Sequence, residues 1–381
     1  MQRPVQAAVD EVRTRSQNGE RDLAIYPQKR EMILLTSRPV QLETPFSTFD
    51  RGLITPNDSF FVRWHHEDLP AIDPRAYALR VHGLVNTQLS LSLDALRTQF
   101  EAVEIAAVCE CAGNSRAFFA PKVPGGQWGN GAMGNAVWRG ARLKDILAKA
   151  GVATGAVQVR FGGLDKPTLT GDSPFLKSLD LDVATGNDVL IAYAMNGEPL
   201  PMLNGYPVRL VVPGYYATYW VKMLNDIEVL DRVDDNHWMR TAYRVPADPR
   251  RHEQPGAKVP TAPITRLTIR SFITSLSDGQ RVQVGKRYAV SGIAFDSGFG
   301  IAKVLFSTDG GVHWTRAELG RDEGKYAFRA WTASFTPASR QQYSLQSLAV
   351  NSIGETQHTT SVWNSSGYLR NSIETVRVDA A

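Results

Sequence analysis

Five prolines, Pro246, Pro249, Pro255, Pro260 and Pro263, crowd the segment from Arg244 to Pro263 together with Gly256. Each fixes its own φ and removes a backbone donor, so neither a helix nor a central strand runs through such a stretch, and it reads as an extended linker. The chain on its two sides is written in different patterns. This predicts an N-terminal extension over 1–29, a first domain over 30–250, a linker over 251–263 and a second domain over 264–381. With 381 residues in all, each domain is long enough to bury its own core.

Before the linker, Leu143 to Ala150 has helical spacing closed by Gly151 in the C′ position, while Val157 to Phe161 and Val208 to Val212 are short β-type runs between turn residues. That mixture predicts an α+β domain. After the linker, alternating runs recur at Val282 and Val284, at Tyr288 to Gly292, at Val304 to Phe306, at Tyr326 to Trp331 and at Tyr343 to Val350, with an Asp309-Gly310 hairpin signal among them. About seven short strands without a helical segment predict an immunoglobulin-like sandwich.

Composition narrows the function classes. Apolar residues at 43% and charged residues at 21% exclude a disordered chain. No apolar window is long enough for a bilayer-spanning helix, and residues 1–30 lack the pattern of a secretory signal, so the chain is expected to be cytoplasmic or to have lost its signal. A net charge of +4, with no basic stripe, speaks against nucleic acid and suits a small anion or an acidic partner. Cys109 and Cys111, the two cysteines, lie about 6.6 Å apart in a strand, close to the limit for a disulfide, so no disulfide framework is expected.

Gly129-Asn-Gly131-Ala-Met-Gly134 matches the dinucleotide-binding spacing, but no strand precedes it and no helix opens at it. These glycines are expected to shape a loop against something else. The seven histidines lack metal-protease or zinc spacing, and there is no haem-attachment motif, nucleophile elbow or phosphate loop. Attention falls on Cys111, where the apolar run Val103 to Cys109 gives way to Cys-Ala-Gly-Asn-Ser-Arg. A lone cysteine is commonly a small core residue. At a strand exit, with Gly113 allowing close approach and Arg116 nearby, it is also where a thiolate binds a soft metal. Cys109, inside the apolar run, reads as core. Arg63 reads either as a surface ion-pair partner or, with Phe61 and His65 on one face of an extended segment, as part of a common site.

Phe-Val-Arg-Trp-His (61–65), Cys-Ala-Gly-Asn-Ser-Arg (111–116) and Trp-Gly-Asn-Gly-Ala-Met-Gly-Asn-Ala (128–136) together resemble the sulfite oxidase family of molybdenum enzymes. So do Tyr-Ala-Met-Asn-Gly-Glu-Pro-Leu-Pro (193–201), Gly-Tyr-Pro-Val-Arg (205–209), Trp-Val-Lys (220–222), Ser-Thr-Asp-Gly-Gly-Val-His-Trp (307–314) and Trp-Asn-Ser-Ser-Gly-Tyr (363–368). Within the family the chain is most similar to bacterial sulfite dehydrogenases, because no haem-carrying domain precedes the cofactor domain.

The resemblance implies an α+β molybdenum-cofactor domain followed by an immunoglobulin-like dimerisation domain, and oxidation of sulfite to sulfate by oxygen-atom transfer at a molybdenum-molybdopterin centre. It implies Cys111 as the protein ligand to molybdenum, and Arg63, Arg116, Tyr243 and Trp128 around the substrate. Phe61, Arg63, His65, Asp165, Asn204, Arg209, Trp220 and Lys222 are implied as cofactor contacts. Two departures are visible. Asn204 stands where vertebrate members have a histidine, and Ser366 stands where they have a third substrate arginine, for which Arg370 is the nearby substitute. Tyr243 also admits a plain packing role. Electrons are expected to leave to a c-type cytochrome or another acceptor, with no haem in this chain, a homodimer or a heteromer with a haem subunit, no nucleic-acid or membrane partner, and a periplasmic location. Two alternatives remain: a molybdenum-dependent sulfoxide reductase of the same superfamily, and a non-catalytic ligand binder that keeps the scaffold.

Overall fold

The apolar run ending at Cys109 forms the strand Ala102–Glu110, which pairs antiparallel with Met133–Arg142 from Glu110 opposite Met133 to Ala102 opposite Ala141. The computed structural model describes residues 14–16, 19–21 and 23–381 apart from 169, 170, 249, 251 and 252. The same sheet continues through Leu190–Met195 to Glu198–Pro199 and Arg209–Val211. A second five-stranded sheet runs in the order Leu176–Asp180, Gln158–Gly163, Leu224–Leu230, Ala78–Gly83, Leu89–Ser92, with a parallel pairing only between Leu224–Leu230 and Ala78–Gly83. The helix Leu143–Ala150 follows the predicted bounds and ends on Gly151 at φ 68°, whose N–H donates to the carbonyls of Leu147 and Ala148. Its buried stripe of Leu143, Ile146, Leu147 and Ala150 follows the helical period, and each larger side chain contributes about 2 kcal/mol by leaving water.

A third sheet joins Leu23–Ile25, Glu31–Ser37, Val40–Glu43 and Val62–Arg63. The expected extension over 1–29 is therefore corrected: residues 1–13 lie outside the described residues, but Leu23–Ile25 is already a strand of the first domain. Lys29 is buried within that domain, its Nζ donating to the carbonyls of Asn57 (2.6 Å) and Phe60 (2.9 Å) and to Asn204 Oδ1 (2.6 Å).

The proline-rich segment is also corrected. Rather than a tether, its ends double back, Arg244–Pro246 pairing antiparallel with Thr261–Pro263. A two-stranded ribbon has free edges, so its prolines remove no donor that a neighbouring strand requires. Arg251 and His252, within the same segment, lie outside the described residues.

The second domain is the predicted sandwich. One sheet runs Arg270–Ile273, Tyr288–Phe295, Arg329–Phe335, Glu318–Leu319; the other runs Gln280–Val282, Thr375–Ala380, Gln342–Asn351, Ile301–Ser307, Thr315–Arg316. Trp331, Phe306 and Leu345 lie in the core between them. The Asp309 turn joins Ile301–Ser307 to Thr315–Arg316, its carboxylate accepting from the Ser307 hydroxyl (2.8 Å) and the His313 N–H (2.9 Å).

The domains share a core. Phe46 packs edge-on against Phe272 at 5.6 Å and Phe49 against Phe328 at 5.9 Å, while the Val108 N–H donates to the Tyr326 carbonyl at 2.9 Å. Closest to Cys111, the Leu369 N–H of the second domain donates to the Ala112 carbonyl at 3.0 Å.

Candidate active site

Cys111 follows directly on the strand Ala102–Glu110, and its N–H donates to the Ala132 carbonyl at 2.9 Å. The loop beyond it is fixed at both ends. Asn114 accepts the Ala132 N–H (3.0 Å) and donates to Glu110 Oε1 (3.0 Å), and the Ser115 hydroxyl donates to Asn130 Oδ1 at 2.5 Å. The glycines of the nucleotide-like motif approach Glu43. The N–H groups of Gly129 and Gly131 donate to its two carboxylate oxygens at 2.9 Å each, and a Cβ on Gly131 would lie 2.0 Å from the Thr44 carbonyl. The strand Met133–Arg142 follows instead of a helix, so the motif is a loop anchor.

Cys111 opens onto a cavity that brings together Phe61, Arg63, His65, Asn204, Arg209, Trp220, Lys222 and Tyr243 of the predicted residues, with Phe175 and Thr218 besides. His65 Nε2 lies 2.5 Å from the Tyr243 hydroxyl, and its ring stacks on Phe175 with centroids 3.7 Å apart. Burial, reinforced by the charges of Arg63 and Lys222, holds the His65 pKa well below its usual value, so the imidazole is neutral. Burial likewise raises the Tyr243 pKa and keeps the phenol protonated. Tyr243 holds a left-handed φ of 55°, rare for a bulky residue and kept only where the surroundings impose it. Burial also raises the Cys111 pKa, against the charges of Arg116 and Arg63, so without a metal the group is a thiol.

Arg209 packs against the rings of both Trp138 and Trp220, which meet edge-on at 5.4 Å, and donates to the Asn204 carbonyl (3.0 Å) and to Cys109 Sγ (3.5 Å). Lys222 Nζ donates to the Arg63 carbonyl at 2.7 Å, and burial lowers its pKa to about 7. Asp165 is buried with its pKa raised by burial, Lys222 opposing; it stands outside the cavity wall. Phe61 lines the cavity, and Trp128 is buried behind it, edge-on at 6.5 Å.

Two expected arginines are placed otherwise. Arg116 is not an open fork: its Nε donates to the Gly367 carbonyl (3.2 Å), and its two terminal nitrogens donate to the carbonyls of Gly126 (3.2 Å) and Ser366 (3.3 Å). It reaches Cys111 through its field. Arg370 does not line the cavity, because it pairs with Glu374 and lies over the Phe118 ring. Asn204 lines the cavity, yet its amide already accepts from Lys29 and donates to the Phe61 carbonyl at 3.0 Å. Phe175, Thr218 and Lys29 carried no local pattern that sequence reasoning could use.

Among the described residues no cluster of three or more His, Cys, Asp or Glu is assembled to hold a metal ion. A metal here would be held by one thiolate and by donors that arrive with it. Three buried polar atoms of cavity residues lack a partner: His65 Nδ1, Arg209 Nε and Thr218 Oγ1. One soft sulfur and unpaired donors lining a cavity fit a large anionic cofactor that carries both a soft metal and oxygen acceptors.

The sequence matches the oxidoreductase molybdopterin-binding domain over residues 66–238 and the Mo-co oxidoreductase dimerisation domain over residues 261–380. It is 36% identical over 369 residues to the mitochondrial sulfite oxidase of Mus musculus; the match takes in 90% of this chain and 64% of the mouse protein, so the chain spans less than two thirds of that relative. Over 373 residues it is 31% identical to the sulfite oxidase of Arabidopsis thaliana, taking in 91% of this chain and 93% of the plant protein. The fold resembles the crystal structure of the sulfane dehydrogenase SoxCD from Paracoccus pantotrophus, with a TM-score of 0.79 and 25% identity over 99% of this chain and 90% of that one.

Proposed function

This chain belongs to the sulfite oxidase family of molybdenum oxidoreductases, and on that premise we propose that it oxidises sulfite to sulfate and passes the electrons to a separate acceptor, a c-type cytochrome. The observation that carries the reading is the Cys111 thiol on a cavity shared with the Arg63 guanidinium and three unpartnered buried donors. When bound, the molybdenum cofactor supplies oxygen-atom transfer and the redox capacity for two electrons.

Cys111 would hold the metal as a thiolate, its proton leaving as the metal binds. Arg209, Thr218, Lys222 and His65 face the cavity with donors for the phosphate and polar edges of such a cofactor, and Asp165 stands beside Lys222 as an acceptor for ring amines. Arg63 presents fixed positive charge toward an incoming anion. Tyr243 and neutral His65 share a proton between Oη and Nε2, so one polar hydrogen is kept at the reacting end of the cavity without a net charge. Phe175 stacks on His65 and Phe61 lines the same cavity, so this proton has apolar side chains beside it.

The same proposal extends to assembly and place. The dimerisation domain supports pairing with a second copy, a heteromer with a haem-bearing subunit is the other assembly the proposal admits, and an exchange with c-type cytochrome suits the periplasm.

Metal analysis combined with sulfite-dependent cytochrome c reduction tests the reading. One molybdenum per chain and turnover with sulfite are expected, together with loss of turnover in Cys111→Ser at an unchanged circular-dichroism spectrum. Loaded protein that leaves sulfite unoxidised, or a serine variant that works normally, would overturn it. Sulfoxide-dependent dye oxidation, measured alongside, detects the reductase alternative.

A further inference from the structure

The segment Ser366–Leu369 of the second domain reaches the Cys111 loop and is held there from three directions. Arg116 donates to the carbonyls of Ser366 and Gly367, and the Leu369 N–H donates to the Ala112 carbonyl, one residue from Cys111. Leu369 takes a left-handed φ of 59° to do so, a conformation that a leucine keeps only under constraint. Asn364 closes the turn, donating from Nδ2 to the Tyr368 carbonyl at 2.9 Å and accepting the Tyr368 N–H at 3.2 Å.

These contacts fix the side chain of Tyr368. Its ring stacks on Tyr243 at 5.5 Å with the planes 16° apart, and its other neighbour is the Arg116 guanidinium, 4.9 Å from the ring centroid. Tyr368 is not itself in the cavity lining, but it stacks on Tyr243, which is, and Arg116, Arg63 and Cys111 are the charged or ionisable groups nearest its hydroxyl, so the hydroxyl stands at the cavity's edge. Among the described residues, its main-chain groups pair with Asn364, and its hydroxyl oxygen is hydrogen-bonded by the Arg116 side chain, which leaves the hydroxyl proton to be donated. With its donors directed at the carbonyls of Gly126, Ser366 and Gly367 and at the Tyr368 hydroxyl oxygen, Arg116 does not present an open fork to an anion.

We propose that Tyr368 is a substrate-binding residue supplied by the second domain, its hydroxyl donating to an oxygen of the sulfur oxyanion that Arg63 attracts. The inference rests on the proposed sulfite chemistry for the identity of the anion, and on the geometry above for the residue. A donor of this kind binds substrate and product oxyanions alike, so it sets affinity more than the rate of the chemical step.

The conservative variant Tyr368→Phe keeps the ring over Arg116 and against Tyr243 and removes only the hydroxyl. On cofactor-loaded, full-length protein, sodium sulfate binding by isothermal titration and steady-state sulfite kinetics separate the contributions. A hydrogen bond to a charged acceptor accounts for about tenfold in affinity, so the sulfate Kd and the sulfite KM both rise about tenfold, with most of the loss in kcat/KM coming from KM. A Kd and KM within about twofold of the parent, or a parent protein that binds no sulfate, overturns the assignment. If the parent binds sulfate without oxidising sulfite, the proposed reaction fails while a weakened sulfate Kd in Tyr368→Phe still supports Tyr368 as an oxyanion donor.

Discussion

Arg270 stands on a strand of the second domain, but its guanidinium ends in the first. It lies 3.5 Å from Glu110 Oε1 and 2.9 Å from the Ser115 hydroxyl, and it also donates to the Arg370 carbonyl (2.6 Å) and to Glu374 Oε1 (3.0 Å). Both Arg270 and Glu110 are 1% exposed, so neither charge has water to fall back on. Burial already pushes the Glu110 pKa up to about 7, with Arg270 the largest influence in the other direction. Arg270→Met leaves that carboxylate with the Asn114 amide alone, whereas Glu374 keeps Arg370. Breaking a buried pair costs about 3–5 kcal/mol, and we expect the lower end, about 3 kcal/mol, at a pH above 7, where Glu110 is charged in the parent protein. For domains of this size that corresponds to a fall of roughly 6–12 °C in the calorimetric transition. Adding Glu110→Gln removes the stranded charge and should restore at least about 1.5 kcal/mol, a positive coupling in a double-mutant cycle. A single-variant loss below about 1 kcal/mol, or a double variant no more stable than Arg270→Met, would show that the buried pair does not carry this stability.

Tyr243→Phe removes the hydroxyl that His65 Nε2 meets at 2.5 Å, and it should lower kcat by about tenfold or more with a smaller change in KM; stopped-flow rates of reduction and reoxidation equal to the parent's count against it. Lys177 is buried, donating to the Trp238 carbonyl at 2.8 Å and facing the rings of Tyr219 and Tyr243, and burial lowers its pKa to about 7. Between that value and its ordinary 10.5 the unfolded chain binds more protons at this site, so the parent gains stability as pH rises across the window. Lys177→Met lacks that gain, so its stability relative to the parent is highest near about pH 6 and declines toward about pH 10. Urea titrations showing the same difference at both ends would dismiss the effect.

The elements carried by local pattern were readable from the chain. Leu143–Ala150 shows its apolar stripe and its glycine stop, and the sandwich shows its alternation and its Asp-Gly turn. The strand exit at Cys111 was visible for the same reason, as an apolar run ending in a Gly-Asn turn. What escaped depends on residues far apart in sequence. Arg116 is drawn to carbonyls at Gly126, Ser366 and Gly367, the latter two about 250 residues away, and no spacing near Cys-Ala-Gly-Asn-Ser-Arg announces that. Arg270–Ile273 went unread as a strand because a buried arginine and serine interrupt its apolar pattern, although all four residues are buried. Lys29 reads as an exposed charge before the first domain, yet it has three acceptors inside it. Thr375–Ala380 does alternate, with Val376 and Val378 inward, and its signal was available.

The docking of Ser366–Leu369 beside Cys111 bears on inheritance as well as on chemistry. A recombination event joining two homologues at the proline ribbon would transplant one wall of the reaction chamber along with the dimer-type module. Change in the second domain can therefore reshape the surroundings of Cys111 in the first, and a fragment cut at the ribbon would leave Arg116 and the Ala112 carbonyl without their partners at Ser366, Gly367 and Leu369.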